Sequence, residues 1–331
     1  MKLQFKVSKL ANLFFLVSNF SEWHFSCRTD YNKAWIEKTE PLKTEEVEIL
    51  SKFKKIIKKY GFELSRVFYT DTEKDIWNGL EKITTKSEFI TIERALKVFE
   101  PKFEKIWKAD NLNEWASLFK KALDQKEYKQ LAEDVYHFLG NQNQERNIEI
   151  IVLSSPLHGE GMTAAGGANI GSDHITLELP ELNKDSWEFE YSIGILIHEV
   201  AHILFRETNL EKTIKEIIGK KNLPKLINKN IQPRYSTLEI ISELIIESMI
   251  PYGYLAQKHF NFKPSSISFS RSNLRVLGEN LQNFRKNKMI SGTRLKKLWV
   301  WQLYPLTAFY IETKRQVDKD YILEIVELIE K

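Results

Sequence analysis

Apolar residues recur at helical spacing through most of the first 145 positions. Val47, Leu50, Phe53, Ile56 and Ile57 line one side of a segment that opens at Pro41-Leu42-Lys43-Thr44-Glu45-Glu46 and closes at Gly61, which predicts an amphipathic helix. Stretches around 92–107 and 112–139 repeat the pattern, with Pro101 and Asn111 as punctuation and Trp107 and Trp115 as core candidates. Lys52, Lys54, Lys55, Lys58 and Lys59 fall between the apolar positions and fit a solvated helix face. The run Leu13-Phe14-Phe15-Leu16-Val17, behind Lys2, Lys6 and Lys9, reads as an amphipathic first helix.

The pattern changes near Asn147. Ile148-Glu149-Ile150-Ile151-Val152-Leu153 is a β-branched run of strand character. His174-Ile175-Thr176-Leu177-Glu178-Leu179 alternates, with Ile175, Leu177 and Leu179 on one face, and Pro180 stops it. A glycine-rich stretch with Gly159, Gly161, Gly166, Gly167 and Gly171 lies between them. Helical spacing returns after the capping-box pair Asp185 and Glu188, through Ile193, Leu196, Ile197, Ala201 and Leu204. A second helix runs from about Ser236 to Ile250, ahead of Pro251-Tyr252-Gly253, and further helices rich in Trp and Tyr follow. These elements predict an α+β fold, mostly helical. Three consecutive regions are expected: a helical N-terminal region over 1–145, a core with a small sheet over 146–260, and a helical C-terminal region over 261–331.

Composition narrows the function classes. The chain has 331 residues, 42% of them hydrophobic, so a packed core is expected rather than a fibrous or disordered chain. Lysine and arginine number 49 against 45 aspartates and glutamates, with no basic stripe, so no nucleic-acid partner is expected. A single cysteine, Cys27, rules out an intrachain disulfide and fits a reducing, cytoplasmic compartment. Export by an atypical N-terminal signal is the alternative; the apolar run is short, has no small-x-small cleavage site, and is followed by His24 and Phe25. No stretch approaches the roughly 20 apolar residues of a membrane span.

His198-Glu199-Val200-Ala201-His202 is where chemistry concentrates. One helical turn puts both imidazoles on the same face, close enough to grip one ion, and neutral imidazole nitrogen is a preferred zinc donor. Glu199 lies about 100° round the helix from His198. It is placed to take a proton from a metal-activated water and to return it to a leaving amine. With seven histidines in the chain, chance yields one His-Glu-x-x-His on the order of one per cent of the time. The flanking residues Ile195 to Ile197 and Ile203 to Phe205 are apolar, so these polar groups sit on a buried helix, a costly arrangement unless they are paired or metal-bound.

The segment resembles the active-site helix of the zincin metallopeptidases. The metzincin branch would continue with glycine at 205 and histidine at 208, where this chain has Phe205 and Thr208. The gluzincin branch, thermolysin-like enzymes included, takes its third ligand from a glutamate on a later helix. Leu238-Glu239-Ile240-Ile241-Ser242-Glu243 is similar to its Asn-Glu-x-x-Ser-Asp pattern, with leucine for the asparagine and a glutamate one methylene longer than the aspartate. The resemblance, which covers about 148–250, implies Zn2+ held by His198, His202 and Glu239, with Glu243 orienting His198 through its free ring N–H. It also implies a peptide or protein substrate, and a small sheet packed on the His198 helix.

Several alternatives stay open. Glu239 also has capping-box spacing from Ser236, and Glu243 and Glu247 share its helix face, so either is an alternative third ligand. Ala165-Gly166-Gly167-Ala168-Asn169 reads as a substrate-pairing edge strand or as an ordinary loop. Tyr235, Tyr252, Tyr254, His259 and Arg271 are candidates for stabilising an oxyanion, and His158 and His174 read as surface polar residues. A zinc hydrolase acting on a non-peptide amide, or a non-catalytic zinc protein, would use the same ligand set.

Overall fold

The computed structural model describes every residue except 1, 25, 71, 141–145, 157–165, 182–187, 221–235, 261–291 and 331. The fold is α+β and mostly helical, with a four-stranded mixed sheet. Its two compact units interleave along the chain. One comprises Met1–Lys121 with Glu145–Ser192, the other Ala122–Gln144 with Ile193–Lys331.

The cause of the interleaving in the first unit is a strand that periodicity did not reveal. Lys2–Lys6 forms β1, which pairs in parallel with β2 (Asn147–Ser154), Lys2 opposite Asn147. β4 (His174–Leu179) flanks β2 on its other side, also in parallel. β3 (Gly166–Asn169) runs antiparallel to β4 and gives the order β1-β2-β4-β3. Gly166 to Asn169 is thus a strand at the sheet's edge; Ala165 lies outside the described residues, as do Gly159 and Gly161.

Helices α1 (Lys9–Ser21), α2 (Thr29–Thr39), α3 (Thr44–Tyr60), α4 (Phe62–Thr70), α5 (Glu73–Ile83), α6 (Lys86–Glu104) and α7 (Ala109–Leu123) complete this unit. The expected amphipathic first helix is corrected here: α1 is buried all round from Ala11 to Ser21. It packs against α2, α3, α4, α6 and β2, which leaves it no solvated face. Phe14 stacks on Phe68 with ring centroids 4.0 Å apart. Asn12 makes such burial tolerable by joining the helix to the sheet. Its Nδ2 donates to the Val152 carbonyl at 3.0 Å, and its Oδ1 accepts from the Ser154 N–H at 2.7 Å. Pro101 sits inside the last turn of α6 rather than ending it.

The second unit holds α8 (Lys126–Leu139), most of α9 (Glu188–Arg206), α10 (Leu210–Lys220), α11 (Thr237–Glu247), α12 (Tyr254–His259), α13 (Gly292–Glu312) and α14 (Lys319–Glu330). Asp185 lies outside the described residues. α11, α13 and α14 pack on one another. At their junction the Tyr321 hydroxyl is fully buried, 3.0 Å from Ser248 Oγ and 2.7 Å from Thr307 Oγ1. Burial pushes that phenol up to about 12, so it stays a neutral hydrogen-bonding group. A second knot centres on Asp134 of α8. Its carboxylate accepts from Lys258 at 3.2 Å and Lys314 at 3.1 Å and lies 3.4 Å from His259 Nε2. Burial raises its pKa, and the hydrogen bonds from His259, Lys314 and Lys258 outweigh burial and hold it below the ordinary carboxylate range. Among the described residues no helix is long and apolar enough to cross a membrane.

Candidate metal centre

α9 is an apolar helix with a polar interruption. Leu196, Ile197, Val200, Ala201, Ile203, Leu204 and Phe205 are buried, and so are His198 and Glu199 in their midst. The spacing of four residues stacks His198 and His202 on one face, ring centroids 4.7 Å apart and nearly perpendicular. Their Nε2 atoms face each other at 3.1 Å. The other nitrogen of His198, Nδ1, lies 3.1 Å from the carbonyl oxygen of Ile250. A carbonyl can only accept, so Nδ1 carries the hydrogen. In neutral His198 the Nε2 lone pair is therefore bare and aimed at His202. An imidazole fixed in this way by an outer hydrogen bond is the usual state of a metal ligand.

α11 brings a carboxylate to the histidines, one turn after the glutamate that the family resemblance implied as a ligand. Ser236 caps the helix, and Glu239 closes a capping box in which its carboxylate accepts from the Ser236 N–H at 2.6 Å. That role fixes Glu239 at the exposed start of the helix, and the structure does not bring it to the histidines. Glu243, one turn on, reaches them instead. Its Oε1 lies 3.0 Å from His202 Nε2 and its Oε2 3.9 Å from His198 Nε2. The Ile250 carbonyl holds His198 Nδ1, and Glu243 stands on the Nε2 side of the ring.

His198, His202 and Glu243 each offer one ligand atom, all within 4.8 Å of one another. Four donors about 2.0–2.1 Å from a tetrahedral zinc are separated by about 3.3 Å. The 3.1 Å and 3.0 Å approaches lie near that edge and the third, from His198 Nε2 to Glu243 Oε2, is longer at 3.9 Å; a donor set of two imidazoles and one carboxylate is one zinc uses in open, catalytic sites. Exposed acidic clusters occur without any ion; here the acid faces two imidazole nitrogens on a buried helix. These three residues could hold a metal ion. Comparison with protein-family models, curated proteins and solved structures finds no match for this chain. The geometry therefore carries the functional argument by itself.

Sequence reasoning missed Lys296 of α13. Its Nζ is 2.6 Å from Glu247 Oε1 and 3.3 Å from Glu243 Oε2. A signal for it was present, since Trp299, Val300, Leu303, Thr307 and Tyr310 follow at helical spacing and are all buried. That places Lys296 on the inward stripe of its helix. Burial lowers the Lys296 pKa, but the Glu247 and Glu243 carboxylates outweigh it and raise it above the ordinary lysine value. Burial likewise raises the Glu243 pKa, while the hydrogen bond from His202 and the nearby Lys296 ammonium bring it below the usual range. Glu243 is therefore a carboxylate, the form that binds metal.

The oxyanion candidates have other partners. Tyr254 donates to Glu312, His259 faces Asp134, and Lys297 Nζ lies 5.2 Å over the Tyr252 ring. Tyr235, Arg271 and His158 lie outside the described residues. His174 Nε2 is 3.2 Å from Glu149.

The carbonyl that orients His198 is itself held by a tight turn. The Tyr254 N–H donates back to the Ser248 carbonyl at 2.9 Å and the Leu255 N–H to the Met249 carbonyl at 3.0 Å. A side chain at Gly253 would put its Cβ 1.8 Å from the Ser248 oxygen, so only glycine fits. Gly194 of α9 allows the same loop to come close, since a Cβ there would lie 3.1 Å from Pro251 Cβ. Gly253→Ala is expected to destabilise the second unit by about 3 kcal/mol or more, a fall in Tm of roughly 6–12 °C. Thermal unfolding followed by circular dichroism checks this.

Proposed function

We propose that this chain is a zinc-dependent metallohydrolase that cleaves peptide bonds, built like a gluzincin-type zincin but with Glu243 as the third protein ligand. The observation that carries the reading is the convergence of His198 Nε2, His202 Nε2 and the Glu243 carboxylate, with His198 Nδ1 anchored on the Ile250 carbonyl. Three protein donors leave a fourth position for solvent or substrate, the arrangement of catalytic rather than structural zinc sites. A zinc ion there supplies Lewis acidity towards a peptide carbonyl and brings the pKa of water down towards neutrality.

The chain's own groups do the rest. Glu199, buried beside His198, takes a proton from the attacking water and delivers it to the departing amide nitrogen. Carboxylates act in both directions because protonated Glu199 is a competent acid. The apolar wall of α9 around it lowers the local dielectric and strengthens each of these interactions.

Metal content of the purified full-length protein, measured with cleavage of a mixed peptide pool, tests the reading. About one zinc per chain and cleavage that a chelator abolishes is the expected result. Zinc retained with every peptide left intact would point to a non-peptide amide substrate or a non-catalytic role. A folded protein that binds no zinc would overturn the proposal.

A further inference from the structure

Two glutamates on α11 compete, in principle, for the same role. Glu243 and Glu247 are chemically identical, one turn apart and on one face of the helix. We propose that Lys296 decides between them: its ammonium draws Glu247 aside and occupies Oε2 of Glu243, so that only Glu243 Oε1 joins the two imidazoles. This inference rests on the zinc reading above and makes Lys296 a positioning residue for the ligand set.

The distances divide the work. Lys296 Nζ is closest to Glu247 Oε1, at 2.6 Å, and Glu247 is 8% exposed, a burial at which a carboxylate needs a counter-ion. The same Nζ is 3.3 Å from Glu243 Oε2, while Oε1 of that carboxylate lies 3.0 Å from His202 Nε2. An ammonium has three donors and no acceptor, so it can hold both acids without competing for the metal. Charge gives the same answer. Lys296 and Glu247 neutralise each other, leaving two neutral imidazoles and one carboxylate around a dication. The centre then keeps a net positive charge, and with it the power to polarise a carbonyl. Were Glu247 to join the ligands, that charge would vanish and the position needed by solvent would be filled.

The test uses the full-length protein loaded with Co2+ as a spectroscopic stand-in, with Zn2+ affinity measured by competition against a chromogenic chelator. In Lys296→Met the freed Glu247 enters the ligand set, so the visible Co2+ spectrum changes and zinc affinity does not fall. Lys296→Met combined with Glu247→Gln restores the wild-type spectrum, and Lys296→Arg preserves it. Glu247→Gln alone leaves an unmatched ammonium beside the metal, and zinc affinity falls at least about 10-fold. A residue that merely held the fold together would lower affinity in both single variants. An unchanged spectrum in Lys296→Met, or an unchanged affinity in Glu247→Gln, overturns the inference; if Lys296→Met fails to fold, the Glu247→Gln affinity decides. Wild-type protein that is folded but takes up neither metal sinks the underlying zinc reading instead, so the two failures are told apart.

Discussion

Glu199→Gln is expected to keep its zinc and to lose at least about 100-fold in turnover, the lower range of what a positioned general base contributes. The substitution is nearly isosteric, so packing on the buried face of α9 is preserved. It leaves His198, His202 and Glu243 in place and takes away only the ability to accept a proton. Glutamine can still hydrogen-bond water, so KM should change far less than kcat. Metal analysis alongside steady-state kinetics separates the outcomes. Retained zinc with unchanged turnover would remove Glu199 from the mechanism, whereas joint loss of zinc and activity would mark it as a ligand or a structural prop.

The second large effect concerns which acid holds the metal. Glu243→Ala deletes one of the three proposed protein donors and is expected to weaken zinc binding by more than the roughly 100-fold that loss of an outer-shell partner can cost. It also leaves two imidazoles facing each other at 3.1 Å with no acid opposite them. Glu239→Ala should leave zinc affinity unchanged. Its expected cost lies in the helix start, where losing half of the capping box removes about 0.5–1 kcal/mol of stability. Chelator competition and thermal unfolding on both variants read the two effects independently. Zinc lost in Glu239→Ala but kept in Glu243→Ala would reverse the assignment and require α11 to rotate or slide in the loaded protein.

The histidine pair of the candidate metal centre was legible in the sequence because its logic is local. Two histidines four apart on an apolar stripe can only lie on one buried face, and α9 has that form. β4 was equally plain from the alternation of Ile175, Leu177 and Leu179. The choice among Glu239, Glu243 and Glu247 was not legible, because all three share a helix face. What separates them is distant in the chain: Ser236 engages the first, the histidines approach the second, and Lys296 takes the third. The Ile250 carbonyl was invisible for a related reason, since a backbone oxygen has no residue identity. β1 escaped because five residues, three of them polar, carry no periodicity until their partner strand is known.

That short first strand sets the order in which the molecule can be built. Its hydrogen-bonding partner begins 145 positions downstream. A ribosome adding about 5–20 residues per second leaves Lys2 to Lys6 without a mate for roughly 7–30 s. Throughout that interval the oily segment just behind it, destined for the interior on every side, has no sheet to lie against. The sheet of a nascent chain of this design closes late.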